Sequence, residues 1–249
     1  MITALIKRRL WLWKNRLIPS MTFFLLLPIL IFSMIGVPLK NVIQYSLSGE
    51  LFSIWVLPGL IFIISSISLY APLYREFFDF RIHRKVLVNI ALTPHSKSKV
   101  VFSNLVTASL EAIIIGILSL FFYITIISAP FSFINFLFLL ICLMIYLMLL
   151  GNLLISLSLF IDNLSIMTLA MFMIFIVILF GNGFLLEFEF FPLAVESILE
   201  YQPLSLPYQS YQMFITTGTL DWLTLGFLTL VIYFWVIFNG YLLKQKLKQ

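Results

Sequence analysis

The sequence predicts an all-α integral membrane protein that forms a single transmembrane domain over residues 1–249, and three observations support this fold class. Hydrophobic residues make up 62% of the chain and charged residues 10%, whereas soluble domains carry about 25% charged residues. Mean hydropathy is +1.13, and the apolar runs lack the period-two alternation of a β-barrel. No segment of mixed composition is long enough to build a water-facing core of its own.

Apolar windows of about 20 residues predict six transmembrane helices. They cover residues 20–39, 53–74, 101–128, 133–160, 165–186 and 222–243. Cys142 is the only cysteine and lies in the fourth predicted span, so the sequence provides neither a disulfide framework nor a thiolate metal site.

The 15 Lys and Arg residues are distributed unevenly. Five precede the first predicted span, six lie in the segment 75–99 and three lie at the tail, which leaves only Lys40. Because cytoplasmic loops carry an excess of Lys and Arg, we expect both termini and the segment 75–99 to be cytoplasmic in a plasma (inner) membrane. The net charge of +5 is then topological, and we expect contact with membrane lipid and no nucleic-acid partner.

The N-terminal segment 1–19 carries apolar residues at helical spacing among basic ones. The apolar residues are Ile2, Ile6, Leu10, Trp13 and Leu17. This pattern predicts an amphipathic helix on the inner leaflet, and the alternative is a basic flank that only orients the first span. Pro19 is expected to mark the turn into the membrane.

The segment 187–220 is too apolar for a solvated loop and too broken by prolines to span. Short re-entrant helices that dip into the outer leaflet between the fifth and sixth spans are predicted. Glu196 and Glu200 lie four residues apart there, and we interpret them as a solvated helix face in preference to a site for a cationic substrate.

No catalytic constellation is present in the sequence. It lacks the phosphate-binding G-x-x-x-x-G-K-[ST] motif, H-E-x-x-H, G-x-S-x-G and paired aspartates, so neither an enzyme nor a bound cofactor is predicted. His83 and His95 have no acidic or Cys partners at ligand spacing, and they are interpreted as solvated loop residues and not as metal ligands.

Four short motifs follow one another at consistent predicted depths. They are Leu57-Pro58-Gly59, Arg75-Glu76 leading to Leu92-Thr93-Pro94, Phe190-Phe191-Pro192 and Gln202-Pro203-Leu204. With the amphipathic start, six spans and the basic loop between spans two and three, this order resembles the type-two ABC transporter permeases over essentially the whole chain. The resemblance implies that two permease subunits pair, as a homodimer or a heterodimer, above two cytosolic ABC ATPase subunits.

In that family, ATP hydrolysis with Mg on the ATPase subunits drives export through the permeases. A lipophilic drug, a lipid and a lipid-linked polysaccharide all fit an aromatic-rich membrane path, and the sequence selects none of them. The alternative function is an ATP-independent secondary transporter or channel, although no internal repeat gives it direct support.

The cytoplasmic loop 75–100 is the predicted ATPase coupling element, because it combines basic residues with apolar surface for a short helix. Its expected coupling residues are Arg75, Glu76, Arg81, Arg84, Lys85, Thr93 and Pro94. The alternative is a basic anchor to anionic lipid head groups, worth roughly 1 kcal/mol per nearby charge.

Glu111 is the one ionisable residue deep in a predicted span, at a cost on the order of 2–3 kcal/mol, so it should face the bundle interior or a wet cavity. Asn104 and Thr107 share its helix face, and Asn152 on the antiparallel fourth span is its expected partner. These four residues either line the translocation path or make an interhelical hydrogen bond worth about 0.6–2 kcal/mol. An outer gate is predicted at Pro58, Gly59, Asn182, Pro192 and Pro203.

Overall fold

The computed structural model describes residues 1–15, 17–47, 49–91, 95–127 and 132–247, and 84% of it is helical. No strand occurs in these ranges, where a single antiparallel bridge joins Tyr45 to Leu51. The predicted all-α class is therefore confirmed.

Twelve α-helices lie in the described ranges. They are α1 Ile2–Asn15, α2 Leu17–Ile31, α3 Val37–Val42, α4 Phe52–Leu73, α5 Phe80–Ile82, α6 Val86–Ala91, α7 Lys97–Ile127, α8 Phe133–Phe160, α9 Leu164–Phe180, α10 Leu193–Glu200, α11 Leu206–Thr217 and α12 Trp222–Lys246. A π-helical turn, Phe32–Gly36, joins α2 to α3, a second one, Tyr74–Asp79, joins α4 to α5, and a 3-10 turn covers Phe188–Phe190.

Five stretches are long and apolar enough to cross a membrane: Leu25–Val42, Phe52–Ile82, Lys97–Ile127, Phe133–Phe160 and Trp222–Lys246. The predicted fifth span, 165–186, corresponds to α9, which has 17 residues and ends at Phe180. Gly181 follows as its C-cap, and Gly183 adopts a φ of +75°, so the chain leaves the helix and folds back instead of continuing to residue 186.

The core of the bundle is α4, which packs between α7 and α8. In its most apolar window 83% of the residues are buried, against 17% for the first span. Glycines on the neighbouring helices allow this approach, because a Cβ on Gly116 would lie 2.5 Å from Ser65 Oγ and one on Gly151 would lie 3.2 Å from Leu73 Cδ1.

The outer helices differ in how closely they join this core. Helix α12 lies against α7 and α8, and a Cβ on Gly240 would meet Ser98 Oγ at 2.2 Å. In α2 the carbonyl of Pro28 accepts a hydrogen bond from the Tyr123 hydroxyl at 2.9 Å. Helix α9 is peripheral, since only Met167 and Ile178 of its residues are buried.

The two ends of the bundle have opposite charge. At the basic end α1 contacts α7 and α5 contacts the end of α8. Helix α12 lies against the start of α7 and reaches Asp162, after α8. At the acidic end the loop before α4 meets residues 181–190 and α11. These names, basic end and acidic end, refer to composition alone.

Pro19 was expected to mark the turn into the membrane. It lies in the first turn of α2, where a proline costs no helical hydrogen bond.

Candidate functional site

Arg81, a predicted coupling residue, is used inside the protein. Its Nη2 donates to the carbonyls of Ser158 at 2.8 Å and Ile161 at 2.6 Å, and so satisfies free acceptors at the end of α8. Its Nη1 pairs with Asp162, which also receives Lys246 Nζ at 3.1 Å. The hydrogen bond from Arg81 lowers the pKa of the Asp162 carboxyl below its ordinary value. Arg81 therefore joins α5 to the end of α8 and, through Asp162, to α12. These contacts use most of the hydrogen-bonding groups of its guanidinium, so few remain for a partner protein.

The turn between α5 and α6 carries the accessible part of the predicted coupling loop. Lys85 is exposed, has a φ of +52° and makes no ion pair within the described residues. Arg84 is also exposed, although its Nε lies 2.9 Å from Asp79 Oδ2. Thr93 and Pro94, also predicted for coupling, lie outside the described residues. The surface that remains for docking is centred on residues 83–85.

Glu76 lies inside the basic end, not on its surface, and its residue is 2% exposed. Its carboxylate meets Arg8 Nη1 at 3.3 Å, Arg9 Nη2 at 3.4 Å and Arg75 Nη2 at 3.3 Å. Two of these guanidinium groups come from α1, so α1 turns basic residues towards the bundle. The structure therefore places Glu76 and Arg75, both predicted for coupling, in an ion network around a buried carboxylate, and this network holds α1.

Glu111 belongs to the same network. Its Oε1 accepts a hydrogen bond from Trp13 Nε1 at 2.9 Å, and its Oε2 lies 3.5 Å from Arg9 Nη1. Burial lowers the pKa of Arg9, and the negative charge of Glu111 opposes that shift. The expected pairing of Glu111 with Asn152 is wrong, because the Glu111 carboxylate is contacted by Trp13 and Arg9 of α1 instead.

The other predicted path residues do not converge on Glu111. Asn104 Nδ2 donates to the Val100 carbonyl at 3.1 Å, and Thr107 donates to Ser103, so both side chains return to their own helix. Asn152 accepts from Asn239 Nδ2 at 3.1 Å, which links α8 to α12.

Sequence reasoning missed the residues that complete this α8–α12 network. Asn239 Oδ1 accepts from Ser156 Oγ at 2.7 Å, and Ser156 Oγ accepts from Trp235 Nε1 at 2.9 Å. An asparagine inside the sixth predicted span was the available signal, because a buried amide in a membrane needs partners. These hydrogen bonds form a network that joins α8 to α12.

Three of the five predicted gate residues are buried at the acidic end. A Cβ on Gly59 would lie 2.0 Å from the Phe184 carbonyl oxygen, so only glycine permits residues 181–186 to press against α4. Asn182 is buried and its Oδ1 accepts from Gln202 Nε2 at 2.7 Å. Pro58 is buried beside Gly59, whereas Pro192 and Pro203 are exposed in the turns that precede α10 and α11.

Aromatic rings fill the space behind this contact. Phe62 lies 5.2 Å from Phe184 and 5.3 Å from Tyr208 between ring centroids, and Phe184 lies 5.4 Å from Tyr146. Packed rings of this kind close the acidic end of the core to water.

Two cavities open on the described part of the bundle. One of about 340 Å³ lies between α4, α8 and α9, with mostly apolar walls that include Ile67, Tyr70, Leu154, Met171 and Phe175. The other, of about 410 Å³, opens at the acidic end. None of the four predicted path residues lines either cavity. No group of three potential metal-ligating side chains occurs in the part of the chain that the structure describes.

Comparisons with protein-family models, curated proteins and solved structures find no match to this chain. Its functional assignment therefore depends on the geometry and on the sequence motifs.

Proposed function

We propose that this chain is the membrane subunit of an ATP-driven ABC exporter, powered by a separate ATPase subunit. The observation that carries the proposal is the continuous helical stretch Phe52–Ile82, of 31 residues, which forms the buried core and ends in the exposed turn 83–85. The chain itself has no phosphate-binding motif, so energy has to reach it from a partner.

A helix of this kind is suited to transmit force. It is packed against α7 and α8 over its length, and packed cores change between discrete arrangements instead of deforming continuously. We therefore expect a displacement imposed at Lys85 to shift α4 at Gly59, where the core contacts residues 181–186. Arg81 supports this role, because it fixes the end of the stretch to α8.

The translocation path is proposed along the cavity between α4, α8 and α9. Its apolar walls suit a lipophilic drug, a lipid or the lipid part of a lipid-linked polysaccharide. A second permease subunit, identical or different, would complete this path on the open side of α9. Of the path residues predicted from sequence, Glu111 and Asn152 then serve to join helices, outside this path.

A six-span arrangement with both termini in the cytoplasm accompanies the proposal. Helix α9 has 17 residues, or about 26 Å at 1.5 Å per residue, against a hydrocarbon core of about 30 Å. A bilayer can thin by this amount at modest cost. An even number of spans places both basic termini on one side of the membrane. The 75–99 segment follows the second span and therefore lies on the same side, in agreement with the positive-inside rule.

The test is co-isolation of the chain from its native membrane with an ATPase subunit, followed by transport in proteoliposomes. Lys85→Glu should abolish the association while leaving insertion intact, because it reverses the accessible charge at the tip. Lys40→Glu is the matched control, since it makes the same charge change on α3 and should keep the ATPase. Transport by the isolated chain without nucleotide would contradict the proposal and favour a secondary transporter or channel.

A further inference from the structure

The cavity at the acidic end has a volume of about 410 Å³. It lies between the loop before α4, residues 183–189 and α11, and its walls combine aromatic rings, two carboxylates and two amides. Trp55, Phe188 and Tyr208 provide the rings, and Glu187 and Glu189 provide the carboxylates. Among the residues that the structure describes, no basic side chain lines it.

Both carboxylates lack a cation. Neither Glu187 nor Glu189 makes an ion pair within the described residues, in contrast to every carboxylate held at the basic end. Glu187 Oε2 accepts from the Leu47 backbone N–H at 2.9 Å, which fixes the side chain at the rim of the cavity. Burial raises the pKa of Glu187, and the charge of Glu189 adds to that shift while the Leu47 hydrogen bond opposes it. A cation in the cavity would relieve this cost.

The aromatic walls are fixed before any ligand arrives. Trp55 is 8% exposed and stacks on Phe52 at 5.8 Å between ring centroids. Tyr208 is 2% exposed, lies edge-on to Phe184 at 4.9 Å and accepts a hydrogen bond from Gln212 Nε2 at 2.7 Å. Rigid rings with little side-chain entropy left to lose are favourable surfaces for cation–π contact.

We propose that this cavity binds an organic cation of the quaternary ammonium class. Aromatic rings together with carboxylates are the combination that recognises such cations. No third acidic, His or Cys side chain joins the pair within the described residues to complete a metal coordination shell. The site does not depend on ATP or on a partner ATPase.

Direct binding to the purified full-length protein in lipid nanodiscs tests the proposal. Equilibrium dialysis with radiolabelled choline should show saturable binding, and the neutral carbon isostere 3,3-dimethylbutan-1-ol should compete at least about tenfold more weakly. The double variant Glu187→Gln, Glu189→Gln should lose at least about tenfold in affinity. Glutamine at 187 still accepts from the Leu47 N–H, so the loop keeps its anchor.

The matched control is the double variant Glu196→Gln, Glu200→Gln, which removes the same charge from the neighbouring α10 outside the cavity. It should bind choline like the wild type. Glu189→Gln alone, at an exposed position, should give a smaller loss without any effect on folding.

Three results would overturn the proposal. They are the absence of saturable choline binding, equal affinity in the wild type and the Glu187/Glu189 double variant, and equal competition by the neutral isostere. Binding of Ca²⁺ that depends on Glu187 and Glu189, without any binding of choline, would also overturn it by identifying a metal site.

Discussion

Carboxylates at the basic end of the bundle are paired with cationic side chains, whereas two carboxylates at the acidic end are not paired within the described residues. At the basic end, Glu76 is met by three guanidinium groups, and Asp162 by Arg81 and Lys246. At the acidic end, Glu187 and Glu189 have no cation within the described residues. The charges of the basic end are therefore used to hold the chain together, whereas those of the acidic end remain available to a ligand.

This difference has an energetic consequence. Removing one partner of a buried ion pair costs about 3–5 kcal/mol, because the other charge stays buried without compensation. Removing a carboxylate that has no partner leaves no such charge behind. The same Glu→Gln change should therefore destabilise one end of the molecule and leave the stability of the other end almost unchanged.

The largest effect is expected at Glu76. Glu76→Gln leaves Arg8, Arg9 and Arg75 without their shared carboxylate and should lower the free energy of unfolding by about 3 kcal/mol, because Arg8 and Arg75 stay partly exposed to solvent. Reversible unfolding in mixed micelles measures it. Glu189→Gln serves as the control with the same chemical change at an exposed position. Equal stability of the two variants would contradict the proposed contrast between the ends.

Glu111 should give the next largest effect, because one charged contact and one hydrogen bond depend on it. Glu111→Gln keeps an acceptor for Trp13 Nε1 and should cost about 1–2 kcal/mol, while Glu111→Leu should cost about 2–3 kcal/mol. Protease cleavage between α1 and α2 should accelerate in the same order as α1 is released.

The Glu111 variants also separate two roles. If Glu111→Gln transported normally with α1 still bound, a role in the translocation path would be excluded. Loss of transport without any release of α1 would instead contradict the assignment of Glu111 to holding α1.

The fold could be predicted to the extent that it depends on local composition. Length and hydropathy are properties of a single segment, so five membrane-length helices were found close to their predicted positions. The sequence prediction extended the fifth span to residue 186, since residues 184–186 are apolar. In the structure these residues pack against α4 at Gly59 and do not continue the helix, which explains their apolar character.

The site could be predicted less well, since its contacts join distant parts of the chain. Depth in the membrane made Asn152 a reasonable partner for Glu111, but depth does not specify which helix lies alongside. Helix α1 was interpreted as a surface helix, so Arg9 and Trp13 were not considered as partners. In the same way, the role of Arg81 depends on where α8 ends, which the sequence of the 75–99 segment does not contain.

Asp162 should sharpen the comparison within the basic end, because it is paired but its side chain is 59% exposed. Asp162→Asn should cost only about 0.2–1 kcal/mol, since solvent screens an exposed pair. The pKa of Asp162 is lowered in the folded state, so its contribution is present above the ordinary carboxyl pKa and is lost as the pH falls through the folded value. Wild type and variant should therefore differ at neutral pH and converge in acid, as unfolding midpoints across a pH series can show.

The smallest effect on stability is expected at the acidic end, for Glu187→Gln combined with Glu189→Gln. Since burial raises the pKa of Glu187, the ionised carboxylate is slightly disfavoured in the folded protein, and its replacement by a neutral amide removes that cost at neutral pH. The Leu47 hydrogen bond survives the change, so the free energy of unfolding should shift by less than about 0.5 kcal/mol, in either direction. A loss of several kcal/mol would mean that these carboxylates have a structural partner, and the two ends would then be alike. Added choline should raise the unfolding temperature of the wild type but not of this variant, because only a ligand that binds the native state stabilises it.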